Sequence, residues 1–240
     1  MVIGNPAELL AETYYLYKML GAANWQSRRD CSGYGLALSI NPSRPEEEWT
    51  LGCFGHPRYQ KYSNYDYFKQ VSADQVNRVK DDYLDSMSFR YFNPAIAECP
   101  KLCEFFGRFS LSIHRATART INGNISHVST SPDGGMHTDR LQFELLNINV
   151  CLSTNDCFGL QYEGREPFYP KPGQVNLIAH DKRHRVFVKC NSDFQRTHLV
   201  FQLSPWVDFD PATDSWVPNK YFGEVHPIDL ARKGLFLKET

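Results

Sequence analysis

His137-Thr138-Asp139, His184 and Arg196 are the side chains of this sequence whose types and spacing bear most directly on chemistry. In an extended strand, residues i and i+2 project to one face. His137 and Asp139 can therefore grip one cation together while Thr138 turns away. The turn Ser131-Pro132-Asp133-Gly134-Gly135 delivers the pair to a strand entrance. His184 heads the strand-like run His184-Arg185-Val186-Phe187-Val188 and supplies a second imidazole. Two histidines and one carboxylate leave three coordination positions open, which is what oxygen-activating non-haem Fe(II) requires. His180 competes with His184 as the remaining ligand, and position relative to Arg196 favours His184. Zinc, cobalt, nickel or copper would also bind such a set by affinity alone.

Arg196-Thr197-His198-Leu199-Val200-Phe201-Gln202-Leu203 alternates cleanly. Arg196, His198, Val200 and Gln202 face one way, and the other four residues face the opposite way. An inward arginine is costly unless an anion meets it. A ligand carboxylate would do so through a bidentate, charge-assisted pair; a surface ion pair with Asp193 is the alternative. In the run Phe143 to Leu152, Asn147 and Asn149 share a face with Phe143, Leu145 and Cys151. Two successive amides on one face form either a structural hydrogen-bond network or the lining of a polar pocket.

The elements that must position these groups follow from periodicity. Pro6 opens a run with apolar residues at Leu9, Leu10, Tyr14, Leu16, Tyr17 and Leu20, an amphipathic helix stopped by Gly21. Tyr34 to Ile40 and Trp49 to Phe54 read as strands. Ser72 can cap a helix starting at Ala73, with Gln75 at the capping-box position. Another helix is expected over Pro94 to Phe109. The period then changes: Leu111 to Thr120 and Ile125 to Thr130 read as strands, and short β-rich runs continue from His137 to Leu203. Tyrosines at 59, 62, 65 and 67 mark a segment that is either a recognition loop or packed surface. Helices first and strands later predict an α+β, mainly β fold: one β-sandwich or barrel buttressed by N-terminal helices. A single domain over 1–240 is expected, with a helical and irregular part at 1–109, the β core at 110–206 and a proline-broken extension at 207–240.

Composition excludes several classes. The chain has 240 residues, 42% of them hydrophobic and 14% aromatic, with a net charge of −1. That balance gives no bulk attraction to nucleic acid or anionic membrane. No apolar run approaches the ~18 residues of a membrane helix. Met1 to Leu20 lacks a basic region before an apolar core, so no signal peptide is expected. The seven cysteines are odd in number and scattered, which predicts reduced thiols and a cytoplasmic protein. Cys99 and Cys103 read as helix cysteines rather than half a zinc site.

The segment from Gly135 to Leu203 resembles the aspartyl/asparaginyl β-hydroxylase-like branch of the Fe(II)/2-oxoglutarate oxygenases. The matching pieces are His137-Thr138-Asp139-Arg140, Asn147 to Asn155, Pro172-Gly173-Gln174-Val175-Asn176-Leu177, His184-Arg185-Val186, and Asn191-Ser192-Asp193 leading to Arg196-Thr197-His198-Leu199-Val200. Arg115-Ala116-Thr117-Ala118-Arg119 looks like the family's preceding strand. The resemblance implies a double-stranded β-helix, jelly-roll or cupin-like, with iron held by His137, Asp139 and His184. Arg196 would hold the distal carboxylate of 2-oxoglutarate, with Asn147, Asn149 and His198 beside it. Where the family carries an Arg-x-His pair that helps hold the co-substrate, this chain has Asn147-x-Asn149. The implied reaction consumes O2 and 2-oxoglutarate, releases succinate and CO2, and hydroxylates an unactivated C–H of an amino acid, free or within a peptide. Arg140, Arg119 and Trp206 are the candidate substrate contacts. A cupin-like metal enzyme without 2-oxoglutarate and a non-catalytic binding protein on the same fold are the competing classes.

Overall fold

The computed structural model describes residues 4–26, 32–40, 89–123, 135–138, 146–179, 182–190 and 193–238. The strands expected at Trp49–Phe54 and Ile125–Thr130, the helix expected to start at Ala73, and the tyrosine-rich segment lie outside them.

Helix α1 spans Pro6–Leu20. Asn5 caps it, its side-chain oxygen accepting from the Ala7 N–H at 3.0 Å. Gly21 ends it at φ 77°, a left-handed conformation that costs glycine nothing. Leu9, Thr13, Leu16 and Tyr17 form its buried face. The helix expected across Pro94 to Phe109 is instead split. A 3-10 turn covers Pro94–Glu98 and helix α2 covers Pro100–Gly107. Pro100 is the cause: the residue before a proline is driven out of the helical region, and Cys99 sits at φ −117°, ψ 79°. Cys99 is buried, which pushes its thiol up to about 11, whereas Cys103 is exposed.

Twelve strands follow from the described residues: β1 (Ala23–Gln26), β2 (Ser32–Ala37), β3 (Ser39–Ile40), β4 (Tyr91–Phe92), β5 (Ser112–Asn122), β6 (Leu146–Ser153), β7 (Phe158–Tyr162), β8 (Val175–Ile178), β9 (His184–Val188), β10 (Gln195–Ser204), β11 (Val207–Asp210) and β12 (Ser215–Pro218). Six form one antiparallel sheet in the order β1-β2-β5-β10-β6-β8. Strands β7 and β9 pair separately, as do β11 with β12 and β3 with β4. A last helix, α3, covers Pro227–Arg232. The fold is mainly β with few helices, and no described helix is long and apolar enough to cross a membrane.

The large sheet has two unlike faces. Leu199, Phe201 and Leu203 of β10 join Leu146, Ile148, Val150 and Leu152 of β6 and the α1 and α2 side chains in the main core. Phe201 meets Phe105, Phe106 and Phe109 edge-on, with ring centroids 6.0, 5.5 and 5.0 Å away. Each such pair adds about 0.5–1.5 kcal/mol beyond area burial. On the opposite face, Ile121 of β5 packs against Phe158 of β7 and Val188 of β9, so the small sheet bears on this second face. Close strand approach is enforced at Gly33, where an added Cβ would meet the Thr120 carbonyl oxygen at 1.8 Å.

A disulfide joins Cys157, just before β7, to Cys190, just after β9. This corrects the expectation of reduced thiols at these two positions, whereas Cys99, Cys103 and Cys151 are free. The pairing of Phe158 with Val188 brings the flanking cysteines together, a closeness that spacing along the chain does not reveal. The bond closes a separation of 33 residues, which in the chain-entropy view contributes about 3–4 kcal/mol. Reduction is therefore expected to lower the denaturant midpoint, and Cys157→Ser with Cys190→Ser to match the reduced protein. Equal midpoints with and without reductant would mean that the cross-link contributes nothing.

Candidate functional site

His137 and His184 face each other across a β-bridge. The His137 N–H donates to the His184 carbonyl at 2.9 Å, and the His184 N–H to the His137 carbonyl at 2.7 Å. Directly opposed residues in an antiparallel pair send their side chains to the same side, and the imidazole centroids lie 4.7 Å apart. Each ring is anchored in the same way: Nδ1 of His137 lies 3.0 Å from the Gly135 carbonyl, and Nδ1 of His184 lies 2.8 Å from the Lys182 carbonyl. A carbonyl only accepts, so each Nδ1 is the donating nitrogen of its contact and Nε2 is the nitrogen that would ligate a metal. Backbone carbonyls fix metal-binding imidazoles in this tautomer and orientation. His184 is buried and His137 half-buried. The Tyr162 ring lies 5.7 Å from that of His184, and its hydroxyl accepts from the Ala179 N–H at 3.0 Å. Thr138 is exposed, as expected of a residue turned away from the pair. Asp139, Arg140 and His180 lie outside the described residues. Among the described residues there is no cluster of three or more metal-ligating side chains.

The second face of the large sheet carries a band of polar side chains. Arg196 is only 2% exposed and the largest fully buried side chain described. His198 pairs with Cys151 of β6 on one side and Arg119 of β5 on the other. The next rung is Thr117, Val200 and Asn149, and the one after it His114, Gln202 and Asn147. Burial, reinforced by the Arg196 and Arg119 charges, holds the His198 imidazole well below its ordinary 6.5, so it stands neutral at physiological pH. Burial pushes the Cys151 thiol up, and Arg196 beside it pulls the other way. Nδ1 of His198 and Oδ1 of Asn149 are buried and make no hydrogen bond. Buried polar atoms of this kind are uncommon in a finished core and suit a pocket whose ligand supplies the partner.

The expected residues are thus distributed as follows. Arg196, His198, Asn147 and Asn149 share one face of adjacent strands, as their alternation predicts. Arg119, expected at the substrate, lies on the Arg196 side of this face; its Nε donates to the Thr117 hydroxyl at 3.3 Å. Trp206 donates from Nε1 to the Val225 carbonyl at 2.7 Å and packs on Phe222, tethering the C-terminal segment. His114 is a pocket-face residue absent from the sequence reading. It is fully buried, with its ring edge-on to Trp216 at 5.7 Å.

No family model matches this sequence, and no curated protein matches it. Solved structures give distant likenesses. A 2OG-Fe(II) oxygenase family oxidoreductase from Burkholderia pseudomallei is 18% identical, covering 81% of this chain and 78% of its own, with a TM-score of 0.38. The non-haem alpha-ketoglutarate-dependent epimerase SnoN of nogalamycin biosynthesis is 14% identical over 91% of this chain and 86% of its own, at a TM-score of 0.41. The DMSP lyase DddQ from Ruegeria pomeroyi is 15% identical over 49% of this chain and 54% of its own, at 0.27.

Proposed function

We propose that this chain is an Fe(II)/2-oxoglutarate-dependent oxygenase that hydroxylates an unactivated C–H of an amino acid or peptidyl substrate, in the manner of the aspartyl/asparaginyl β-hydroxylase-like branch. The observation that carries the reading is the histidine pair: two imidazoles held side by side, each with Nδ1 spent on a carbonyl, so that Nε2 is the nitrogen that would ligate. That donor set fits a first-row divalent metal. His137 and His184 would hold it, with Asp139 two positions beyond His137 as the carboxylate ligand. When bound, iron and 2-oxoglutarate supply O2 activation coupled to loss of CO2, leaving succinate.

The chain's own residues supply the rest. Arg196 is already desolvated, so a carboxylate arriving there meets a cation in a low-dielectric setting where the pair is stronger than in water. Neutral His198 and the Asn149 amide offer hydrogen bonds without adding charge. Ile121, Phe158 and Val188 form a buried apolar cluster between the large sheet and the small one. The substrate assignment rests on the resemblance of Gly135 to Leu203, with Arg140 as its candidate contact beside the metal.

An anaerobic titration of Fe(II) and then 2-oxoglutarate into the metal-free protein tests the reading. The visible charge-transfer band of an iron–keto-acid chelate is expected in the wild type and not in His137→Ala. Folded, iron-loaded protein with no band would reject 2-oxoglutarate and favour a cupin-like metal enzyme.

A further inference from the structure

We propose that Arg119 is the second guanidinium of the anion pocket, closing with Arg196 on one carboxylate of a dicarboxylic ligand. The inference rests on the 2-oxoglutarate reading and deepens it at a residue that the sequence points toward the substrate instead.

Strand register carries the geometry. Arg119 is the direct cross-strand partner of His198, and Arg196 is the partner of Ile121. Arg119 and Ile121 are two positions apart on β5, so Arg119 and Arg196 are diagonal neighbours on one face. Diagonal neighbours lie roughly 7–8 Å apart, within reach for long side chains. Both cations act on the His198 imidazole, which places both guanidinium charges near it. A third cation there would be costly, and His198 is kept neutral.

The second observation points to a ligand independently. His198 is 5% exposed, and its Nδ1 makes no hydrogen bond although it lies between the two arginine-bearing positions. A carboxylate seated between the guanidiniums can accept from both and from a His198 Nδ1–H. Arg196 is buried, whereas Arg119 is half-buried. The pocket therefore has one fixed and one outer arm, the outer one steadied by the Arg119–Thr117 hydrogen bond.

The test uses the whole metal-free protein, with succinate as the probe and the neutral diamide succinamide as the control, followed by calorimetry. Wild type should bind succinate and not succinamide. Arg119→Gln should weaken succinate binding about tenfold or more, a loss of one charge-assisted contact. Arg119→Lys, which keeps the charge and loses the fork, should fall between them and serves if Arg119→Gln does not fold. Zinc affinity at the histidine pair should be unchanged in both variants. Unchanged succinate affinity in Arg119→Gln, or equal binding of succinamide by wild type, would overturn the proposal. The two readings fail separately. Succinate binding that depends on Arg119 without an iron–2-oxoglutarate band keeps the clamp and rejects the co-substrate. A band with Arg119-independent succinate binding does the reverse.

Discussion

Replacing His184 with alanine is expected to abolish metal binding and turnover while leaving the fold intact. The side chain supplies one of the two imidazoles that lie side by side at the bridge. Outer partners of a metal ligand are alone worth about 10–100-fold in affinity, so loss of a ligand itself should exceed that range. The fold should survive because the bridge between His184 and His137 runs through backbone N–H and carbonyl groups, which alanine keeps. His184 is 4% exposed, so a large-to-small change there leaves a cavity and a loss of stability of about 2–3 kcal/mol. Iron content after anaerobic loading, circular dichroism and turnover separate the two effects. His137→Ala should behave alike with a smaller stability loss, being half-buried, and His180→Ala should retain iron. An iron-loaded, active His184→Ala would remove the histidine pair from the chemistry and return His180 as the ligand.

What the sequence discloses about this site depends on whether a strand runs without interruption. Arg196 to Leu203 alternates residue by residue, and β10 keeps that alternation: Leu199, Phe201 and Leu203 enter the main core while Arg196, His198 and Gln202 face the other way. The same rule fails on β5. Counting back in twos from Arg119 gives Thr117 and then Arg115 as pocket-face residues. The register instead shifts between Val200 and Gln202, so that Thr117 and His114 are the residues aligned with the pocket face. Arg115 takes a left-handed φ of 47°, and this bulge puts a fully buried imidazole where alternation predicts a guanidinium. A bulge is a local backbone event with no side-chain period of its own, which is why His114 escapes a periodicity argument. The break at Pro100 was open to the opposite inference, because the conformation of Cys99 follows from proline sterics alone. The Cys157–Cys190 bond depends on the pairing of β7 with β9, a long-range relation. The Cys pair and the histidine pair are joined by that one strand: His184 opens β9 and Cys190 follows its end. Local pattern thus indicates which residues share a face, and strand pairing decides which faces meet.

The same pairing sets up the second large effect. Arg196→Met should lower affinity for 2-oxoglutarate by more than a hundredfold, and the rise in stability that the ligand gives the wild type should vanish in the variant. Arg196 is the largest fully buried side chain described, and methionine fills irregular space well. Taking one partner from a buried charged contact is itself destabilising, so each protein is compared with and without ligand. At a concentration about a hundred times Kd, a bound ligand adds about 2.7 kcal/mol to stability. The urea midpoint of wild type should therefore rise when 2-oxoglutarate is added, and that of Arg196→Met should stay where it is. An equal rise in the variant would make Arg196 a structural residue and leave the anion pocket without its fixed arm. The ligand-induced shift carries more weight than a loss of activity alone, because a misfolded variant is also inactive but shows no cooperative midpoint to compare.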